Sequence, residues 1–216
     1  MEKIKKVGLT GIFGSGKTTV ASIFKNYGFD VISCDDLVAE LLEKEEVKKK
    51  LAGIFGNGVI KNGKLDKKKI AEVIFTDREK KEKLENLIHP LVFKRIDEEI
   101  KKNIDRIKKK GIIIVEIPLL FETKSEKKFD YIIVVSASVD IIKSRLREKF
   151  NNREIELRWE NQLPLKFKEK NADYIINNSG PIHQTEKYVR EIINEILPVR
   201  GKIKSKRDSK AGGMFI

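Results

Sequence analysis

Residues 11–18 read Gly-Ile-Phe-Gly-Ser-Gly-Lys-Thr, the spacing G-x-x-x-x-G-K-[ST] of a phosphate-binding loop. No other feature constrains the fold as strongly, because the pattern works only between a strand that enters it and a helix that leaves it. Val7–Thr10 is a candidate strand on one side. On the other, Thr18–Tyr27 reads as a helix with Gly28 as its left-handed stop. In that setting each residue type has a task. Gly11, Gly14 and Gly16 let the backbone turn tightly and aim its N–H groups at phosphate oxygens. The helix start adds its positive dipole end. Lys17 reaches the β- and γ-phosphates as a point charge, and the Thr18 hydroxyl suits Mg²⁺. Ser15 and Thr19 are counted with the loop as nucleotide-binding positions. The expected ligands are therefore ATP and Mg²⁺.

A phosphate loop alone does not separate a kinase from a GTPase or an ATP-driven motor. Glycine at the fourth loop position, Gly14, is a form common in small-molecule kinases. The chain also lacks an Asn-Lys-x-Asp sequence for reading guanine.

Beyond the loop, short apolar segments alternate with helical patterns. Phe29–Ser33 reads as a second strand and Asp35–Leu51 as a helix. Glycines punctuate Gly53–Lys64, which reads as loop or hairpin. Asp66 caps a helix over Lys67–Phe75, and Asp77 caps the run toward Ile88. His89-Pro90 then starts a long helix with Pro90 at its first position and Gly111 after its end. Ile112–Ile117 and Tyr131–Val135 are β-branched runs suited to strands buried on both faces. Ser138 caps a helix to about Lys149, and the charged helix Arg153–Gln162 stops at Pro164. Tyr174–Ile176 is the last strand and His183–Leu197 a closing amphipathic helix. The alternation implies an α/β fold of the P-loop NTPase type: three layers around a parallel five-stranded sheet. One kinase domain is expected over residues 1–197, with a helical acceptor-binding region at about 35–110 and a lid at about 143–165. Residues 198–216 lack apolar periodicity and read as a mobile basic tail.

Charge narrows the partners. The net charge is +13, which favours phosphorylated metabolites, nucleic acid or an anionic membrane surface. The tail concentrates Arg200, Lys202, Lys204, Lys206, Arg207 and Lys210 against one acid, Asp208. The rest lies on Lys-rich helices, where solvated faces account for it. No helix-turn-helix, zinc or aromatic RNA-binding signature accompanies the charge, so a nucleic-acid-binding ATPase is the weaker alternative. The one cysteine, Cys34, allows no intrachain disulfide. Apolar runs such as Ile112–Val115 are far short of a membrane span. Lys3, Lys5 and Lys6 precede an apolar stretch, but glycines and Lys17 interrupt it and no cleavage pattern follows. The expectation is a cytoplasmic protein with no membrane partner, and the sequence carries no signal for an oligomeric state.

Ser33-Cys34-Asp35-Asp36 follows the second strand. A carboxylate at the carboxyl end of a strand borders the crevice where ligands bind, and can orient or take a proton from an attacking hydroxyl. Equally, Ser33 or Asp35 can cap the next helix. At this point the chain resembles the dephospho-coenzyme A kinase family, from about residue 5 to residue 197. The opening Gly8-Leu9-Thr10-Gly11 running into Gly14–Thr18 is similar, as are Ile88-His89-Pro90, Pro118-Leu119-Leu120-Phe121-Glu122 and Arg145-Leu146. Arg158 with Gln162-Leu163-Pro164, Lys168, Ala172-Asp173 and Asn178-Ser179-Gly180 follow in order.

The resemblance implies transfer of the γ-phosphoryl of ATP to the 3′-hydroxyl of dephospho-coenzyme A, the last step of coenzyme A synthesis. It implies Asp35, Lys17 and Arg145 as catalytic residues. His89, Leu119, Leu120 and Arg158 would meet the acceptor, and Asn178 the nucleotide. One departure stands out: the family's Asp-x-Asp begins here with Ser33, which hydrogen-bonds but carries no charge, and Asp36 or Glu116 are the acids in position to compensate. A P-loop kinase of another small acceptor, such as a nucleoside or sugar, is the nearer alternative.

Overall fold

The computed structural model describes residues 4–197 and 214–215. In chain order the elements are β1 (Lys5–Thr10), α1 (Lys17–Asn26), β2 (Asp30–Ser33), α2 (Cys34–Leu42), α3 (Glu45–Phe55), β3 (Ile60–Lys61), β4 (Lys64–Leu65), α4 (Lys67–Thr76) and α5 (Arg78–Lys102). They continue with α6 (Ile104–Lys110), β5 (Ile112–Glu116), β6 (Tyr131–Ser136), α7 (Val139–Leu146), α8 (Asn152–Glu160), α9 (Leu165–Lys170), β7 (Tyr174–Asn177), α10 (Ile182–Ile196) and β8 (Met214–Phe215). The chain forms two compact units: one runs through Ile32 and resumes at Ile104, the other is Ser33–Asn103.

The first unit is built on a sheet in the order β2-β5-β1-β6-β7-β8. Strand β1 pairs in parallel with β5, Val7 opposite Ile114, and with β6, Leu9 opposite Ile133. Strand β6 continues in parallel with β7, Val134 opposite Ile175. The five strands expected from the sequence are present, and the two-residue β8 adds in parallel to β7. That strand falls where a mobile tail was expected; residues 198–213 and 216 lie outside the described residues.

The sheet is apolar because both faces are covered. On one face Val7, Leu9, Ile112, Ile114, Ile133 and Val135 pack with Val20, Ile23 and Phe24 of α1 and Val189, Ile192 and Ile196 of α10. Each such aliphatic or aromatic side chain contributes roughly 1.5–3 kcal/mol on burial. On β1, Gly8 is required by crowding: a Cβ there would stand 2.6 Å from Leu120 Cδ1 and 3.2 Å from the Phe129 ring.

The second unit is helical, with one small hairpin. Asn62 and Gly63 both take positive φ, 50° and 74°, as a two-residue primed turn requires between β3 and β4. Asp66 caps α4 by accepting from Lys69 N–H, and Asp77 caps α5 by accepting from Lys80 N–H, as the sequence indicates.

Three helix boundaries differ from expectation. Helix α5 does not start at Pro90; it runs from Arg78 straight through it. Proline removes one backbone hydrogen bond, but the Asp77 cap and the buried stripe Ile88, Val92, Ile96 and Ile100 hold the helix on both sides. The helix expected over Asp35–Leu51 breaks at Glu43–Lys44. Its buried residues Leu41 and Val47 are six apart, out of step with the 3.6-residue repeat, and the break resets the face. Pro164 ends no long helix but opens α9, which the sequence reading missed. No helix among the described residues is long and apolar enough to cross a membrane.

Candidate active site

The phosphate loop links β1 to α1 as expected, and its glycines are held to their identity by space as well as by conformation. Gly14 has φ 84°, and a Cβ there would stand 2.6 Å from both Ile142 Cγ2 and Leu146 Cδ1. Gly16 has φ 93°, and a Cβ would drive into the Asn178 side-chain amide. Helix α1 begins right after Gly16 with no side-chain cap, so its first backbone N–H groups are left for an anion. The Lys17 ammonium lies back along the loop, donating to the carbonyls of Gly11 and Ile12 at 3.1 Å each. Thr18 Oγ1 donates to Glu116 Oε1 at 3.0 Å, at the carboxyl end of β5. Glu116 is buried beside that hydroxyl.

Support beneath the loop comes from Asn178, which is only 4% exposed. Its Nδ2 donates to the Ser15 carbonyl at 2.9 Å, and its Oδ1 accepts from the Thr185 hydroxyl at 3.0 Å. Asn178 was expected to meet the nucleotide. Its side chain is taken up by the loop backbone and Thr185. Arg145 donates from Nη2 to the Asn178 carbonyl at 2.7 Å and so stands beside Gly16.

In the span 143–165, expected as a lid, α8 and the turn after it contact the loop at Phe13. The Phe13 N–H donates to Gln162 Oε1 at 2.8 Å, and its carbonyl accepts from Trp159 Nε1 at 3.0 Å. The Arg158 guanidinium lies over the Phe13 ring, 4.7 Å from its centroid, and 5.0 Å from that of Phe150. Ile12 joins Ala137, Ile142, Leu146 and Ile155 in a separate small core beneath these contacts. Helix α8 starts on a capping box, Asn151 with Glu154.

A buried ion pair ties α9 to the segment after β5. Lys168 is 0% exposed and meets Glu122 Oε1 at 2.7 Å. The same oxygen accepts from Leu163 N–H at 2.8 Å, and Lys168 also donates to the Pro118 carbonyl, which Thr10 reaches from β1. Sequence reading assigned no role to Phe13, Glu122, Gln162, Lys168 or Thr185. Lys168 is one of many lysines on charged helices, and nothing local marks it as buried.

Among the acceptor candidates, Leu120 is fully buried against Gly8 and belongs to the core. Leu119 stays half-buried. In the helical unit Ser33 Oγ accepts from Asp36 N–H at 3.2 Å and is the N-cap of α2. That contact settles which residue caps and leaves the Asp35 side chain exposed in the first turn. His89 is half-buried inside α5, not at a helix start. Among the described residues no cluster of three or more His, Cys, Asp or Glu side chains is gathered for a metal.

Residues 5–184 match the family model of dephospho-CoA kinase. A dephospho-CoA kinase of Aquifex aeolicus is 37% identical over 196 residues, covering 89% of this chain and 98% of the relative. One of Bartonella quintana is 37% identical over 198 residues, covering 90% and 99%. Among solved structures, the dephospho-CoA kinase from Campylobacter jejuni superposes with TM-score 0.65 at 26% identity, covering 88% of this chain and 96% of its own. With the loop, the sheet and these matches in agreement, the chain belongs to the dephospho-CoA kinase family.

Proposed function

We propose that the chain transfers the γ-phosphoryl group of ATP to the 3′-hydroxyl of dephospho-coenzyme A, giving coenzyme A and ADP. The observation that carries this reading is the family match over residues 5–184, which takes in the phosphate loop, Asp35, His89 and Pro118–Glu122 in one continuous run.

The chemistry follows from the residues. The 3′-oxygen attacks the γ-phosphorus, the bond to the β–γ bridging oxygen breaks, and ADP leaves with that electron pair. The loop N–H groups, the start of α1 and Lys17 hold the β- and γ-phosphates. Asp35 orients the acceptor hydroxyl and takes its proton. Arg145 and Arg158 bring charge to the transferred group, where it spreads over the phosphoryl oxygens. His89 and Leu119 contact the acceptor.

The hydroxyl of Thr18 and the carboxylate of Glu116, 3.0 Å apart, are oxygen donors of the kind Mg²⁺ takes. Thr18 would hold the ion and Glu116 would fix the hydroxyl's orientation. When bound, the ion neutralises charge on the β- and γ-phosphates.

The test is ADP release by purified protein with ATP and Mg²⁺ over a panel of acceptors. Release that depends on dephospho-coenzyme A, and not on nucleosides or sugars, is the expected result. Equal or greater stimulation by another acceptor would displace this reading.

A further inference from the structure

The second variable position of a phosphate loop needs no particular side chain to bind phosphate; the backbone does that work. In this chain residue 13 is nevertheless engaged on every side by the lid. Its N–H meets Gln162, its carbonyl meets Trp159, and its ring lies under the Arg158 guanidinium and edge-on to Phe150, with centroids 5.1 Å apart. All of these groups belong to one compact unit. Arg158 is otherwise an exposed side chain on α8, with the long flexible stem that makes an exposed arginine costly to order.

We propose that Phe13 is a positioning residue: its ring holds the Arg158 guanidinium at the phosphate loop. The lid's charge is thereby pre-placed where phosphoryl transfer needs it. This rests on the reading of Arg158 as a group that acts on the bound substrates. A guanidinium held beside two rings by cation–π attraction still has N–H donors to offer an anion. Preorganisation of that kind acts on the transition state more than on nucleotide binding.

The chain's single tryptophan, Trp159, makes the inference directly measurable. It sits next to Arg158 and donates to the Phe13 carbonyl, so its emission reports whether the lid stays on the loop. The experiment compares Phe13→Leu, which keeps apolar bulk and loses the ring, with Phe13→Tyr, which keeps the ring. Both are made in the full chain, alone and with Arg158→Ala. Phe13→Leu is expected to lower kcat roughly tenfold with little change in the KM for ATP, and to shift Trp159 emission to the red. Phe13→Tyr is expected to restore both. In the Arg158→Ala background Phe13→Leu is expected to lower kcat no further.

Wild-type kcat and emission in Phe13→Leu would overturn the proposal. So would the same loss of kcat in the presence and absence of Arg158, because the ring would then not act through the arginine. If the wild-type enzyme shows no turnover with dephospho-coenzyme A, the functional reading fails separately, and the emission comparison of Leu with Tyr decides the latch on its own.

Discussion

The two units hold their functional groups in opposite ways. Around the phosphate loop Glu116, Asn178, Thr185 and Lys168 are buried, and each is tied to a partner. Thr18 is tied to Glu116, Asn178 to Ser15 and Thr185, and Lys168 to Glu122 and the Pro118 carbonyl. In the helical unit the candidate base Asp35 is exposed. Many of the ion pairs there are exposed neighbours on one helix, such as Lys50 with Glu46 and Arg78 with Glu82. Exposed pairs of this kind contribute little, whereas a broken buried pair leaves an uncompensated charge. The difference teaches where tolerance ends. Triphosphate geometry demands fixed donors, so the nucleotide side is locked. The helical unit is held by apolar stripes such as Ile88, Val92, Ile96 and Ile100.

The largest expected effect is Lys17→Ala, which should lower turnover by about 10³-fold or more with the fold intact. Steady-state kinetics with a circular dichroism control checks it. Asp35→Asn comes next, at about 10²- to 10³-fold in kcat, with ATP affinity measured by calorimetry unchanged. A large loss of ATP affinity in Asp35→Asn would break the division of labour between the two units.

A pair of variants tests the stability side. Lys168→Met leaves Glu122 without its partner and should cost about 3 kcal/mol in denaturant unfolding. Lys50→Met, on the exposed pair of α3, should leave the unfolding midpoint where it was. Equal midpoints for the two variants would remove the contrast.

The smallest effect is in the pH dependence of the helical unit. The Lys61 ammonium, then the Lys69 N–H, hold the Asp66 carboxyl below the ordinary carboxylate range. The Lys80 N–H does most to lower Asp77. Groups lowered on folding contribute stability above their unfolded pKa, near 3.9, and lose it as pH falls through the folded value. Asp66→Ala and Asp77→Ala should therefore flatten the loss of stability below about pH 4, measured by thermal melts across pH.

The sequence made the nucleotide side legible through spacing: glycines, lysine and threonine at fixed intervals imply one backbone path. Capping residues Asp66, Asp77 and Ser138 were legible for the same local reason. What escaped depends on distant contacts. Pro90 signals a helix start locally, but α5 is held by packing that spans it. The burial of Leu120 and Asn178 depends on Gly8 and Ser15, which lie far along the chain from them. Phe13 and Lys168 act through partners 149 and 50 residues away along the chain, Gln162 and Pro118 respectively, and no local pattern encodes such a pairing.

The most direct measurement of the central claim is the position of the phosphate in the product. ATP, Mg²⁺ and dephospho-coenzyme A are incubated with the protein, and the product is examined by mass spectrometry and phosphorus NMR. The account predicts one added phosphate, on the ribose 3′-oxygen, with ADP formed in equal amount. ADP formed without a phosphorylated acceptor, or a phosphate on any other oxygen, would contradict it.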